Sequence, residues 1–204
     1  QVRFATHAPR ILVVLSGMSQ NFGAEPDVMQ PQHELTTPSD WVCRFVKLIP
    51  AGGTVLDLAC GTGRHARLLA GLGYRVEAVD RDESHLQAVR GVEGVTVRLA
   101  DLEGGPWPYA SRQFSGIIVC NYLHRPLFPR LLEALEQEGV LIYETFAVGN
   151  ERFGKPSNPD FLLKPGELLE VVRGQLRVIA YEDVFVSHPK AAMVQRICAR
   201  HDNV

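Results

Sequence analysis

The sequence has no long hydrophobic run. Its clearest apolar stretch near the start, Ile11 to Leu15, falls far short of the roughly 20 residues a membrane-spanning helix needs. Arg3 and Arg10 beside that run sketch a signal peptide, but the run is too short and no small-residue cleavage pattern follows. We therefore expect a cytoplasmic protein without a membrane partner. Cysteine is sparse: Cys43, Cys60, Cys120 and Cys198 are scattered with no C-x-x-C pair, which argues against a disulfide framework and a zinc ribbon and predicts reduced packing residues. The seven histidines form no H-x-x-x-H pair, so no metal site is expected. Charge of one sign is also missing. A formal net charge of -2 gives no bulk attraction for nucleic acid, although it leaves room for a local basic patch. No internal repeat or low-complexity tract is visible.

What is present is ordinary for a globular protein: 204 residues, 46% hydrophobic and 22% charged, enough for one large domain with a substantial core. Residues 1–37 stand apart, with Pro9, Pro26 and Pro31 and little amphipathic order. They read as an irregular extension without a core of its own. The chain opens on Gln1 and reaches Met18 and Met29 inside this segment, so part of it is expected to be foreign to the natural protein. From residue 38 to 204 the signals are regular and read as one domain.

Ser39 or Asp40 can cap a helix whose stripe is Trp41, Val42, Phe45, Val46 and Leu48. Pro50 to Gly53 then turns the chain into a first strand, Thr54 to Leu58. Helical spacing resumes from His65 to Leu72, and further strands are expected at 74–79, 95–100, 115–120 and 140–144, with helices through Leu86 and Val89 and over 127–136. After a long polar loop, 150–161, a helix is expected at 163–172, then two strands, 176–185 and 192–199, joined by a short loop. Strands alternating with helices on short connections predict an α/β fold: a doubly wound, mostly parallel seven-stranded sheet with a C-terminal antiparallel hairpin and helices on both faces.

The densest chemical signal is Val55-Leu56-Asp57-Leu58-Ala59-Cys60-Gly61-Thr62-Gly63-Arg64-His65, a buried strand running into a glycine turn and then a helix. Gly61 and Gly63 remove side chains that would hold a ligand off the backbone, and Asp57 sits where the carboxyl edge of a parallel sheet meets its ligand crevice. Gly61 to Ala66 also satisfies the dinucleotide pattern G-x-G-x-x-A. Arg64-His65, where that turn would hold pyrophosphate, and an acid four residues before the first glycine lean away from a dinucleotide, yet a cationic pair can also contact phosphate. Further acids follow the next two strands. Asp80 lies near the distance at which a carboxylate accepts from ribose hydroxyls, and Asp101 ends the third strand.

The pattern D-x-x-x-G-x-G, with acids at three consecutive strand ends, resembles the class I S-adenosylmethionine-dependent methyltransferases. That resemblance implies S-adenosylmethionine as cofactor, with Asp57 toward its amino group, Gly61 and Gly63 under its methionine part, Asp80 on the ribose, Asp101 on the adenine amino group and Leu102 against the ring. It extends the cofactor set to Ala59, Arg64, His65, Arg81, Asn121 and Leu123. The chemistry implied is in-line displacement of the methyl group onto an acceptor. Asn121-Tyr122-Leu123-His124-Arg125-Pro126 occupies the wall between cofactor and acceptor and lacks the Asn/Asp-Pro-Pro-Tyr/Phe tetrad of the adenine, cytosine and glutamine enzymes.

From 150 onward the chain resembles the tellurite-resistance-type small-molecule methyltransferases. His188 stands near that subgroup's histidine, although Pro189 and Lys190 replace its following arginine. His124 and His188 are accordingly the candidate catalytic residues. Tyr122, Arg125, Phe146 and Phe153 are the candidate acceptor-binding residues. The leading expectation is methyl transfer to a small acceptor, anionic or soft (sulfur, metalloid or oxygen). Two alternatives stay open: an RNA methyltransferase, with Arg152 and Lys155 in the loop and Tyr122 stacking on a base, or a cofactor-binding module without catalysis.

Overall fold

A computed structural model describes residues 36–202. The expectation for the extension, 1–37, therefore falls almost wholly outside the described residues. Seven strands form one sheet: β1 (Thr54–Leu58), β2 (Arg75–Asp80), β3 (Val95–Leu99), β4 (Phe114–Cys120), β5 (Leu135–Phe146), β6 (Arg177–Val186) and β7 (Ala192–Arg200). Their order is β3-β2-β1-β4-β5-β7-β6. The first five are parallel, and β7 runs antiparallel between β5 and β6. The chain thus winds outward from β1 to β3, returns to lay β4 on the other side of β1, and leaves a crevice at the carboxyl ends of β1 and β4 where the winding reverses.

Both faces are covered. Helices α1 (Asp40–Phe45), α2 (Arg64–Gly71) and α3 (Glu83–Gln87) lie on one, where Trp41, Val42, Leu69, Leu86 and Val89 bury against Val55, Val76, Ala78, Ile118 and Ile142. Helices α4 (Phe128–Glu133) and α5 (Glu167–Val172) lie on the other, where Leu131, Leu168 and Val172 meet Leu56, Leu58, Ile117, Val119, Leu141 and Ile197. The central strands are apolar on both sides because both sides are roofed. Ser39 caps α1, its hydroxyl accepting from the Trp41 and Val42 N–H groups, and Trp41 fixes that helix across the sheet by donating from Nε1 to the Ile197 carbonyl at 3.2 Å.

Three boundaries differ from those expected. The helix expected over 127–136 stops at Glu133, because the Ala134 carbonyl accepts from the Phe114 N–H at 2.8 Å and Leu135 already pairs with Phe114. Strand β5 therefore starts five residues early, at Leu135 rather than Val140, and absorbs an irregularity in which Glu138 takes a φ of 62°. The helix expected from Leu163 starts only at Glu167. Leu163 instead bridges to Ala147, Pro165 disfavours helical backbone in the residue before it, and Gly166, left-handed at φ 74°, offers no side-chain cap. A buried glutamine on β7 compensates: Gln195 Oε1 accepts from the Leu168 N–H at 2.8 Å.

Candidate active site

Strand alternation assembles the site. Val55, Ala78, Ile118 and Ile142 face the α1–α3 core, so two residues on, Asp57, Asp80, Cys120 and Glu144 face the same side at the carboxyl ends of four adjacent strands. Asp57 is buried, and its Oδ2 has no hydrogen-bond partner. Burial pushes its pKa up to about 8, against the pull of the Ala66 N–H and the Arg64 guanidinium, with Asp80 adding to the rise. Asp80 accepts from the Gly61 N–H at 2.8 Å and from the Asp82 N–H at 3.0 Å, so this acid also shapes the glycine turn. Asp101 is exposed and accepts from the N–H groups of Glu103 and Gly104 at 3.0 and 3.1 Å. These bonds hold its pKa below the usual range, helped by nearby Arg81 and His124.

The two turn glycines do different work. A Cβ on Gly61 would meet nothing within 4 Å, so its absence leaves the turn open to a ligand. A Cβ on Gly63 would strike Val89 at 2.6 Å. The expectation that both glycines clear space for a ligand is thus corrected: Gly63 permits close packing of the turn on the segment after α3, and at φ 77° it is the left-handed cap of α2. Ala59 and Asn121 also take positive φ, 52° and 56°, one after β1 and one after β4, on both sides of the crevice. Non-glycine residues adopt that region at a cost, and such residues cluster where a fold shapes a site.

Arg64 and His65 are committed elsewhere. Arg64 Nη1 donates to the Thr37 carbonyl at 3.0 Å, and His65 Nε2 accepts from the Ser39 N–H at 3.1 Å. Burial, assisted by the Arg64 charge, drives the His65 pKa down to about 3, which keeps the ring neutral and able to accept. Ser39 Oγ also donates to Glu144 Oε1 at 2.8 Å. The segment before α1 is strapped across the start of α2, next to Asp57. Sequence reasoning missed Glu144 here, although it lies near the carboxyl end of its strand, much as the three recognised acids lie at or just past theirs.

A cleft of about 220 Å³ adjoins this crevice, lined by Glu103, Asn121, Tyr122, Leu123, Thr145, Phe146, Pro156 and Phe161. Tyr122 and Phe146 were expected there. Arg125 was expected to bind acceptor and is not in the lining: its guanidinium pairs with the Glu167 carboxylate at 2.6 and 3.0 Å and donates to the Asp160 and Leu162 carbonyls at 2.6 and 2.8 Å. It latches the long loop after β5 to α5. Phe153 stands outside as well, its ring 5.0 Å from that of Phe185 on β6. Phe161 from the same loop takes the position in the cleft, carried there by the turn that Asn158 caps. Neither candidate catalytic histidine lines the cleft: His124 sits half-buried beside Asp101, and His188 is exposed on the β6–β7 loop. Among the described residues no group of three His, Cys, Asp or Glu side chains could hold a metal ion, and no helix is long and apolar enough to cross a membrane.

Residues 55–139 match a family model described as a methyltransferase domain. No curated protein matches the chain. Among solved structures, TehB from Haemophilus influenzae is 18% identical with a TM-score of 0.66, over 78% of this chain and 60% of that one, so the chain spans well under the full length of that relative. An S-adenosylmethionine-dependent methyltransferase from Mesorhizobium loti is 19% identical with a TM-score of 0.61, over 78% of this chain and 96% of that one. The glycopeptide N-methyltransferase MtfA, complexed with S-adenosylhomocysteine, is 18% identical with a TM-score of 0.57, over 78% and 88%. Identities this low speak to the fold, which the strand order bears out. Residues 55–139 thus resemble a methyltransferase domain, and the seven-stranded sheet has the fold of the solved S-adenosylmethionine-dependent methyltransferases.

Proposed function

We propose that the protein transfers a methyl group to a small molecule seated between Tyr122, Phe146 and Phe161. The observation that carries this reading is the orphaned, buried Oδ2 of Asp57, on the strand that runs into the glycine turn, where a Cβ on Gly61 would meet only open space. Asp57, Gly61 and Asp80 fit the cofactor. A carboxyl group without a partner suits an ammonium, the bare turn suits close approach of the backbone, and each Asp80 oxygen retains a lone pair for a hydroxyl. Asp101, ionised, suits an exocyclic amino group, with Leu102 buried beside it. S-adenosylmethionine supplies an electrophilic methyl group on a sulfonium.

The chain's own part is to position the acceptor and exclude water. The latched loop supports that role, since its Pro156 and Phe161 join Phe146 in lining the cleft. An open cleft speaks against a binding module without catalysis. No cation lines it, which disfavours both an RNA acceptor and the anionic acceptor expected from the sequence. A base is required only for an acceptor that arrives protonated.

Calorimetry with S-adenosylmethionine and with NAD tests the cofactor. The first is expected to bind wild type and to bind Asp57→Ala at least tenfold more weakly. Binding of NAD alone sinks the proposal. Transfer of labelled methyl into the small-molecule fraction of a cell extract, and not into its RNA, is the matching expectation for the acceptor.

A further inference from the structure

We infer that the acceptor is a small amine with an apolar, aromatic-sized body, and that Glu103 selects it; this rests on the methyl-transfer reading above. The one charged side chain lining the cleft is a carboxylate, that of Glu103. Its place is fixed by a tight turn on Asp101, whose Oδ1 accepts from the Glu103 and Gly104 N–H groups, while Gly105 donates to the Asp101 carbonyl at 3.0 Å. The turn tolerates no bulk, because a Cβ on Gly105 would come within 2.6 Å of that carbonyl oxygen. Beside Glu103 lies the buried Tyr122 hydroxyl, close enough for the two side chains to act on one another. Its pKa is raised by burial first and by Glu103 next.

Among the described residues no cation lines the cleft beside this carboxylate. Arg81 acts on both Asp101 and Tyr122 from outside the lining. Arg125 is occupied by Glu167, and Lys155, next to Pro156 in the chain, is exposed and outside the lining. The remainder of the wall is Leu123, Phe146, Pro156 and Phe161. A carboxylate at one end of an apolar, aromatic-walled cleft complements an ammonium with a hydrocarbon body, since the rings attract a cation as well as bury its carbon. An oxyanion would meet repulsion from Glu103, and a thiol would gain nothing from that carboxylate.

The chemistry balances. Glu103 holds the ammonium, which releases one proton to water and so frees the nitrogen lone pair. That pair forms the N–C bond to the methyl group as the C–S bond breaks with its electrons left on sulfur. The methylated nitrogen takes up the positive charge, which the Glu103 carboxylate pairs until the product leaves.

The test uses three compounds that share one body and differ in the head group: benzylamine, benzyl mercaptan and benzoate, each with the full chain and S-adenosylmethionine. Benzylamine is expected to be methylated with a kcat/KM at least tenfold above the others. Benzyltrimethylammonium, which cannot react, is expected to bind the protein saturated with S-adenosylhomocysteine in calorimetry. Glu103→Gln is expected to weaken that binding at least tenfold while leaving the affinity for S-adenosylmethionine unchanged. With the cofactor bound normally, preference for the thiol or the carboxylate, or benzyltrimethylammonium binding that Glu103→Gln does not move, overturns the amine assignment, as does the absence of any methylation or binding. Failure of wild type to bind S-adenosylmethionine overturns the methyl-transfer reading and takes the amine assignment with it.

Discussion

Asp57 carries its proton at neutral pH, since burial holds its pKa near 8. An incoming ammonium favours the ionised form, so binding expels that proton wherever the pH lies below about 8. An α-amino group loses its own charge at about pH 8. Affinity for S-adenosylmethionine is therefore expected to climb from about pH 6, peak near 8 and fall beyond. Calorimetry in two buffers of different ionisation enthalpy would register the released proton, and Asp57→Asn should abolish the release; an affinity flat across that window contradicts the assignment. In the free protein the sign is opposite for stability. The raised pKa contributes stability that is complete below the ordinary aspartate range and is lost as pH rises through about 8, while neutral His65 contributes stability above its ordinary range that is lost as pH falls toward about 3. At this scale the acids were legible, because a polar residue at the end of an apolar strand stands out. The separate duties of Gly61 and Gly63 were not, because Val89 reaches Gly63 from a helix away. The task of Arg125 was hidden for the same reason, its partner lying 42 residues on.

The loop after β5 is an element in its own right, tied at every corner. Leu163 pairs back to Phe146 and Val148, buried Asn150 donates to the Pro156 carbonyl and accepts from the Met193 N–H, and Arg125 with Glu167 closes the far end. Replacing Arg125 by Met leaves the Glu167 carboxylate half-buried without its partner and frees two loop carbonyls. We expect a loss of about 1–2 kcal/mol of stability, discounted for partial exposure, and faster tryptic cleavage after Arg152. Arg125→Lys should rescue only partly, since an ammonium cannot form the paired contact. A cleavage rate unchanged in Arg125→Met would show that the loop is held by its other ties. Periodicity made the strands and α2 legible in the sequence. It failed at α4 and α5, where a strand pairing and a proline-glycine pair end the helical backbone earlier or start it later than the apolar spacing suggests.

The molecule as a whole was legible because alternating strands and helices leave few topologies open. The terminal hairpin was visible from its short loop, whereas the insertion of its second strand between β5 and β6 is a matter of long-range pairing that local pattern does not encode. That insertion sets an order of events during synthesis. Helices and strands up to β5 leave the ribosome first, at about 5–20 residues per second, but among the described residues β6 pairs with β7 alone, and the outer edge of β5 and the acceptor for Trp41 both wait for residues 192–200. A chain stopped at residue 191 is expected to show no cooperative thermal transition by circular dichroism; a sharp one would refute this. The sheet is closed from within by β7, the last in chain order of the seven described strands, so the sheet completes only after that strand has cleared the exit tunnel, and until then a nascent chain presents the β5 and β6 edges that β7 later covers to whatever chaperone waits there.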